Sequence, residues 1–457
     1  MAKTKYKSVW VCGQCGADSA KWTGRCPSCG AWNTMTEERV PVSSAARTQV
    51  AMSGASVSAP VPLNEISAVD EPRIKLPSTE LNRVLGGGLV PGGLVLLGGE
   101  PGVGKSTLVL QNLLAIKSRK ILYASGEESA TQIKMRADRL GRGSDNLYVV
   151  CETSLETIME HIARVQPGIV VIDSIQTIAC DALESAAGSV SQVRECAAQL
   201  LRFAKTGSVP VILIGQITKE GSLAGPKVLE HIVDAVLQFE GDRQYMFRIL
   251  RAIKNRFGST SELGIYEMGQ KGLREVTNPS ELLLGDMSRE LSGVAVGVTV
   301  EGARPFLIEV QALVSTAAYG TPQRSVTGFD SKRMNMLLAV LEKRVGFKLA
   351  AKDVFLNIAG GLRVNDPALD LAVVCAILSS NFDTPVPMDT CMAGEVGLSG
   401  EIRPVARLEQ RIAEAEKLGM ARMIVPAGNL KGFDASRLKI RLLEVSRVEE
   451  AFRHLFA

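Results

Sequence analysis

Aromatic residues make up only 5% of this 457-residue chain, and its histidines number three, His161, His231 and His454. So few imidazoles, with no strand-turn-helix nucleophile elbow among them, give a serine–histidine hydrolase no support. No apolar run approaches the roughly 18 residues needed to span a bilayer. The most apolar, such as 169–172, are strand-sized. The lysine-rich amino terminus lacks the roughly 7–15 residue apolar stretch of a secretory signal. These absences predict a soluble, cytoplasmic protein with no membrane partner. An excess of one charge is missing too: the net charge is +4, supplied by Lys3, Lys5, Lys7, Lys21 and Arg25 against Asp18 within residues 1–30. Such a basic arm is a candidate contact for a phosphate backbone, although four thiolates around a zinc ion would return two negative charges to it. The 43 glycines follow no period, which excludes collagen-like chains and suits α/β domains joined by tight turns. The length predicts two or three domains.

Four of the nine cysteines fall in one window, as Cys12-x-x-Cys15 and Cys26-x-x-Cys29 with ten residues between the pairs. Two tight turns presenting four sulfurs match the geometry of tetrahedral zinc. Gly13, Gly16 and Gly30 supply the turns. Two disulfides would need an oxidising compartment, and a redox Cys-x-x-Cys normally opens a helix, as neither pair does here. Residues 1–36 are therefore expected to be a zinc module. Residues 37–60, rich in Val, Ser, Ala and Thr without period, read as a flexible linker that leaves the module tethered rather than packed.

From about residue 74 the pattern alternates short apolar runs at 94–97, 121–124, 148–150, 169–172 and 209–214 with helical segments. This predicts a parallel sheet covered on both faces, within an ATPase domain at 61–277. Asn278-Pro279-Ser280 marks a boundary. Residues 278–457 then read as a second α/β domain, opening on alternating Val294, Val296, Val298 and Val300. A helix follows with Met334, Leu337, Leu338, Leu341 and Val345 on one face.

The chemistry concentrates at Gly99-Glu100-Pro101-Gly102-Val103-Gly104-Lys105-Ser106, followed by Thr107, a G-x-x-x-x-G-K-[ST] loop between an apolar strand and a helix. Its backbone N–H groups converge on nucleotide phosphates, Lys105 reaches the β and γ phosphates, and Ser106 ligates magnesium. ATP and Mg2+ are the cofactors this implies, beside Zn2+. Asp173 ends the strand at 169–173, where a magnesium-holding carboxylate belongs. Glu127 and Glu128 end another strand, and either is placed to polarise water; position favours Glu127, though acids also suit the start of a helix. Gln216 ends a third strand, able to contact a γ-phosphate and report to the loop containing Lys219 and Lys227. Lys254 and Arg256, two apart after a strand, suit fingers on a neighbour's γ-phosphate, or else form an ordinary solvated strand end.

Taken together, the four cysteines, the phosphate loop, Asp173, Gln216 and the motif Lys254-Asn255-Arg256-Phe257-Gly258 resemble the bacterial RadA (Sms) DNA-repair family along essentially the whole chain. That resemblance implies a RecA-like ATPase core forming hexameric rings on single-stranded or branched DNA. It also implies hydrolysis at subunit interfaces, branch migration of recombination intermediates and work beside recombination proteins such as RecA. The loop after Gln216 would then lie where single-stranded DNA binds. An ATP-driven protein remodeller and an ATP-switched zinc scaffold without motor activity are the competing readings.

The carboxyl-terminal segment looks like a Lon protease domain through Asn365-Asp366-Pro367-Ala368 and the stretch from Gly394 to Glu409. Lon proteases use a serine nucleophile and a lysine base, and the matching positions here carry Ala368 and Glu409. Arg304, Arg324, Lys332, Arg333, Lys343 and Arg344 leave this domain a candidate DNA contact. With neither member of the dyad present, the purified protein is expected to cleave neither casein nor peptides. Cleavage that disappears on substituting a residue of this domain would overturn that.

Overall fold

A computed structural model of the chain describes residues 6–14, 16–41, 62, 73–141, 143–216, 229–241, 247–284, 291–317, 321–361 and 364–456. Two compact units result, Met1–Arg243 with Arg248–Glu275 and Gln244–Phe247 with Val276–Ala457. No helix among the described residues is long and apolar enough to cross a membrane.

The amino-terminal ribbon holds β1 (Tyr6–Cys12), β2 (Asp18–Ser19) and β3 (Met35–Pro41) in the order β2-β1-β3. β1 and β3 pair antiparallel from Tyr6 opposite Pro41 to Cys12 opposite Met35. The ribbon therefore runs past residue 36, and the expected linker yields its first residues to a strand. Backbone pairing with β1 orders β3, so no apolar alternation was needed to make it. The rest of that linker, at 42–61, lies outside the described residues. The ribbon is also packed rather than merely tethered. Val11 is 6% exposed within the apolar cluster of Val190 and Val193, and the Arg194 guanidinium donates to the Gly16 carbonyl. Val9 and Val11 share one face of β1, and a module this small has no interior to bury both.

The rest of this unit is built on β4 (Leu94–Gly99), β5 (Ile121–Ser125), β6 (Leu147–Cys151), β7 (Ile169–Asp173), β8 (Val211–Gln216), β9 (Ala235–Glu240), β10 (Phe247–Asn255), β11 (Leu263–Gly269) and β12 (Gly272–Glu275). Their order is β12-β11-β10-β9-β4-β8-β7-β5-β6, and β4 through β9 pair parallel. Continuous apolar runs suit such strands because both faces are covered. Val95, Leu97, Tyr123, Val171, Ile212 and Ile214 join one cluster, while Leu94, Leu96, Leu122, Val170, Ile172 and Leu213 join the other. The edge strand β6 departs from this, with Tyr148 41% and Val149 37% exposed.

The helix α1 (Thr79–Leu85) precedes β4, and α2 (Lys105–Leu113), α3 (Ala130–Arg139), α4 (Leu155–Val165) and α5 (Val190–Gly207) connect the strands from β4 to β8. Ser78, Ser129, Ser154 and Ser189 cap α1, α3, α4 and α5, each side chain accepting from a backbone N–H of the first turn. Such a cap contributes about 0.5–2 kcal/mol. α2 instead begins at Gly104, which has no side chain to cap it.

The second unit holds a seven-stranded mixed sheet in the order Arg324–Thr327, Lys352–Ile358, Arg304–Thr316, Val294–Glu301, Thr390–Met392, Arg422–Pro426, Arg441–Val445. The helix Asp370–Phe382 is buried on nearly every side, as its apolar run at 371–378 requires. Ala368 lies buried among Val298, Leu408 and Ile412, and Glu409 is exposed on the helix Leu408–Lys417. The helix Ser331–Val340 buries Met334, Leu337 and Leu338 as expected. Arg333 is not free for a nucleic-acid backbone: its Nε donates to Asp370 Oδ1 at 2.6 Å, and the buried carboxyl needs that cation. Lys332, Lys343 and Arg344 are exposed.

Candidate ATP site and cysteine cluster

Parallel pairing brings the carboxyl ends of four strands to one edge. Ser125 stands opposite Asp173, and Gly99 opposite Gln216. In open α/β sheets this edge is where ligands bind.

The phosphate loop leaves β4 at Gly99 and turns into α2 through Gly104, whose φ of 110° favours glycine. Val103, 4% exposed, anchors the loop in the core, while Glu100, Pro101 and Gly102 are open to solvent. The first turn of α2 carries no acidic residue and no side-chain cap. Its N–H groups and positive dipole end are left to an anion, which fits a phosphate. Ser106 and Thr107 sit partly exposed in this turn. Lys105 curls back, its Nζ donating to the carbonyls of Gly99 at 2.9 Å and Glu100 at 3.0 Å. Burial lowers the Lys105 pKa, while the carboxylates of Asp173 and Glu127 oppose that shift.

Asp173 is 7% exposed and accepts a hydrogen bond from the Tyr123 hydroxyl. Tyr123 lies diagonal to it on the neighbouring strand, on the same face of the sheet. Burial first, and then Asp173 itself, raise the Tyr123 pKa well above its usual value, so this phenol stays a donor. Glu127 is reached through Gly126, where an added Cβ would meet Thr177 Oγ1 at 2.2 Å. That close approach lets Glu127 Oε1 accept from Ser174 Oγ at 2.6 Å and from Gln216 Nε2 at 3.2 Å. Glu128 turns away and pairs with Arg136. The structure thus gathers Lys105, Asp173, Glu127 and Gln216.

Lys254 and Arg256 lie elsewhere. Lys254 Nζ donates to the carbonyls of Glu230 and Val233, and Arg256 Nη1 lies 3.4 Å from Asp234 Oδ1. Desolvation, then Arg256, lower the Lys254 pKa. Asp234 bonds both backbone groups of Leu94, the first residue of β4, so it marks the amino edge of the sheet. Five residues of strand, about 16 Å, separate that edge from the phosphate loop. Lys219 and Lys227 fall outside the described residues.

Tyr123, Ser174 and Gln176 carry no motif that marks them in the sequence. Gln176 Nε2 donates to the Gln216 carbonyl at 3.2 Å. A tyrosine inside an apolar strand needs a partner for its hydroxyl, and that is the available signal for Tyr123.

In the ribbon, the sulfurs of Cys12, Cys26 and Cys29 lie within 4.8 Å of one another, Cys12 and Cys29 at 3.7 Å. Cys15 lies outside the described residues. Tetrahedral Zn–S bonds of about 2.3 Å separate sulfurs by about 3.8 Å, so the donor set fits such an ion. The two turns repeat one pattern: Gly16 N donates to the Cys12 carbonyl, and Gly30 N to that of Cys26. The Thr34 hydroxyl, 3.1 Å from Cys12 Sγ, is placed to support a thiolate.

The DNA repair protein RadA of Bacillus subtilis (strain 168) is 51% identical to this chain over 456 residues, covering 99% of each. The chain belongs to the RadA family of DNA repair proteins. The RadA proteins of Halalkalibacterium halodurans and Listeria monocytogenes are 50% and 49% identical, the alignments covering 99% of this chain and 98% and 99% of theirs. Family models match an AAA domain at 60–222, a rubredoxin metal binding domain at 10–37 and subunit ChlI of Mg-chelatase at 310–429. Among solved structures, a KaiC-like protein from Pyrococcus horikoshii is 22% identical, covers 45% of this chain and 99% of its own, and has a TM-score of 0.37. The RadB recombinase is likewise 22% identical, with 43% and 97% coverage and a TM-score of 0.36. This RadA-family chain is thus a P-loop ATPase of DNA repair, binding ATP and magnesium, with a metal-binding ribbon and a carboxyl-terminal α/β domain.

Tyr123→Phe removes the donor that orients Asp173 without changing shape. The magnesium concentration for half-maximal ATP hydrolysis should rise about 10- to 100-fold. A magnesium titration superimposable on that of the unchanged protein would refute the role.

Proposed function

We propose that this RadA-family protein is a DNA-stimulated ATPase of recombinational repair, working in the cytoplasm as a homo-hexameric ring on single-stranded and branched DNA. It promotes branch migration and heteroduplex extension alongside recombination proteins such as RecA. Four cysteines, Cys12, Cys15, Cys26 and Cys29, hold zinc in the ribbon.

The observation that carries this reading is the opposition of two sites on one sheet. Lys105, Asp173, Glu127 and Gln216 gather at the carboxyl edge, while Lys254 and Arg256 stand at the amino edge. The cations are too far from their own phosphate loop to serve it, and Arg256 has 58% of its side chain exposed. They are suited to a γ-phosphate held by a neighbouring subunit, which a ring supplies.

In this reading the loop from Gly99 to Thr107 cradles the phosphates, and Lys105 exchanges its two carbonyl partners for phosphate oxygens. Ser106 and Asp173 would hold the magnesium, which would supply neutralising charge to the phosphates. Glu127 polarises the attacking water, and Ser174 holds its carboxylate in place. Gln216, now on Glu127, is positioned to exchange that partner for the γ-phosphate and pass the change to the residues that follow it. Ala368 and Glu409 leave the ATP site as the one catalytic centre expected.

ATP turnover should rise when single-stranded DNA is added and vanish in Lys105→Ala. Stimulation by unfolded protein alone would favour a remodeller, and negligible turnover with stoichiometric binding would favour a scaffold.

The two neighbouring carboxylates should behave differently. Glu127→Gln should lower kcat about a hundredfold to ten-thousandfold, whereas Glu128→Gln, which alters only the partner of Arg136, should hydrolyse ATP nearly as before. Equal losses in both would remove Glu127 from its assigned role.

A further inference from the structure

All three tryptophans of the chain, Trp10, Trp22 and Trp32, fall in the ribbon. Trp10 packs beside Cys12, Cys26 and Met35 in its small apolar centre. Trp22 and Trp32 do not, being 54% and 69% exposed. Among the described residues they are the ribbon's exposed large hydrophobic side chains, with no aliphatic patch around them.

Their placement is specific. Measured from the point where a side chain at Gly24 would begin, Trp22 Cη2 is 3.5 Å away and Trp32 Cζ3 is 4.0 Å away. Two open indoles thus flank a position that contributes no side chain of its own. Cations accompany them. The Arg25 guanidinium lies 5.8 Å from the centroid of the Trp32 ring, with its Nε bonded to the Gly30 carbonyl at 3.0 Å, and Lys21 is exposed next to Trp22.

We propose that Trp22 and Trp32 form a stacking platform for the bases of single-stranded DNA, with Lys21 and Arg25 on its phosphates. Open aromatic faces beside cations are what a sequence-tolerant single-strand site requires, because every base has a π face and every linkage a charge. The sign of the ribbon's charge agrees, with six cations and three acids in residues 1–41. Protein interfaces also favour tryptophan and arginine but are depleted in lysine, and here the exposed Lys21 stands beside Trp22. The choice of ligand rests on the single-strand reading above, but the surface is separate from the ATP site.

The test uses the full chain and a thymidine homopolymer. Because every tryptophan lies in the ribbon, intrinsic tryptophan emission reports on the ribbon alone. Adding the oligonucleotide should quench that emission. Trp22→Ala with Trp32→Ala should bind it about tenfold more weakly, by anisotropy of a labelled strand. Tyrosine at both positions should retain most of the affinity, and metal content should match the parent's in both variants. The quenching measurement needs no variant, so a misfolded alanine pair would not rescue the idea. Emission unchanged at saturating strand would overturn it, even with DNA-stimulated ATP hydrolysis intact, and the proposed function would then survive alone. An oligonucleotide that the parent does not bind at all would sink both. Unchanged strand affinity in the alanine pair, with loss of a partner protein, would assign the surface to that protein instead.

Discussion

The ATP site depends on parallel strand pairing that is buried on both faces. Ile169, Val170, Val171 and Ile172 are each 0% exposed, and burying four such side chains contributes about 6–12 kcal/mol as an upper figure. Desolvating a carboxylate costs several kcal/mol, so the strand that ends in Asp173 can carry it nearly buried. Register then does the positioning: with Ser125 opposite Asp173 and Gly99 opposite Gln216, the polar ends cannot shift without uncovering the apolar stretches behind them.

Polar groups are settled around this frame in a way that leaves one place open. Four helices of the ATPase unit close their first turn with a serine, and α2 closes its first turn with nothing of its own. The nearest cation, Lys105, is parked on two carbonyls and balanced by two carboxylates. Each of these contacts is one that a triphosphate with its metal would replace. In the carboxyl-terminal unit the corresponding openness is gone. Ala368 is buried in the apolar cluster, Asp366 is held by Arg411 at 2.7 Å, and Asp370 by Arg333. The fold persists there through packing and ion pairs that require no nucleophile.

Much of this is legible in the order of residues alone. The phosphate loop, the spacing of Cys12, Cys26 and Cys29, the apolar strand before Asp173 and the residues at 368 and 409 are local features, and local spacing determines what chemistry a loop or turn offers. The alternating clusters on β4, β5, β7 and β8 follow from apolar runs too continuous for a half-exposed sheet. The ribbon is less legible: Met35–Pro41 is ordered by pairing with a strand far away in sequence, and Val11 is covered by α5 rather than by its own module.

The sequence by itself determined that a nucleotide-phosphate cradle and a metal-binding ribbon lie along one chain, because each is written in closely spaced residues. Tertiary structure alone decided the rest. It turned Glu127 toward Gln216 and Glu128 toward Arg136, set Tyr123 on Asp173, and put Lys254 and Arg256 at the edge away from the phosphate loop. The physical reason is strand order. β4 lies between β8 and β9, and β7 between β8 and β5. Which polar ends become neighbours is therefore set by crossovers that no local spacing encodes.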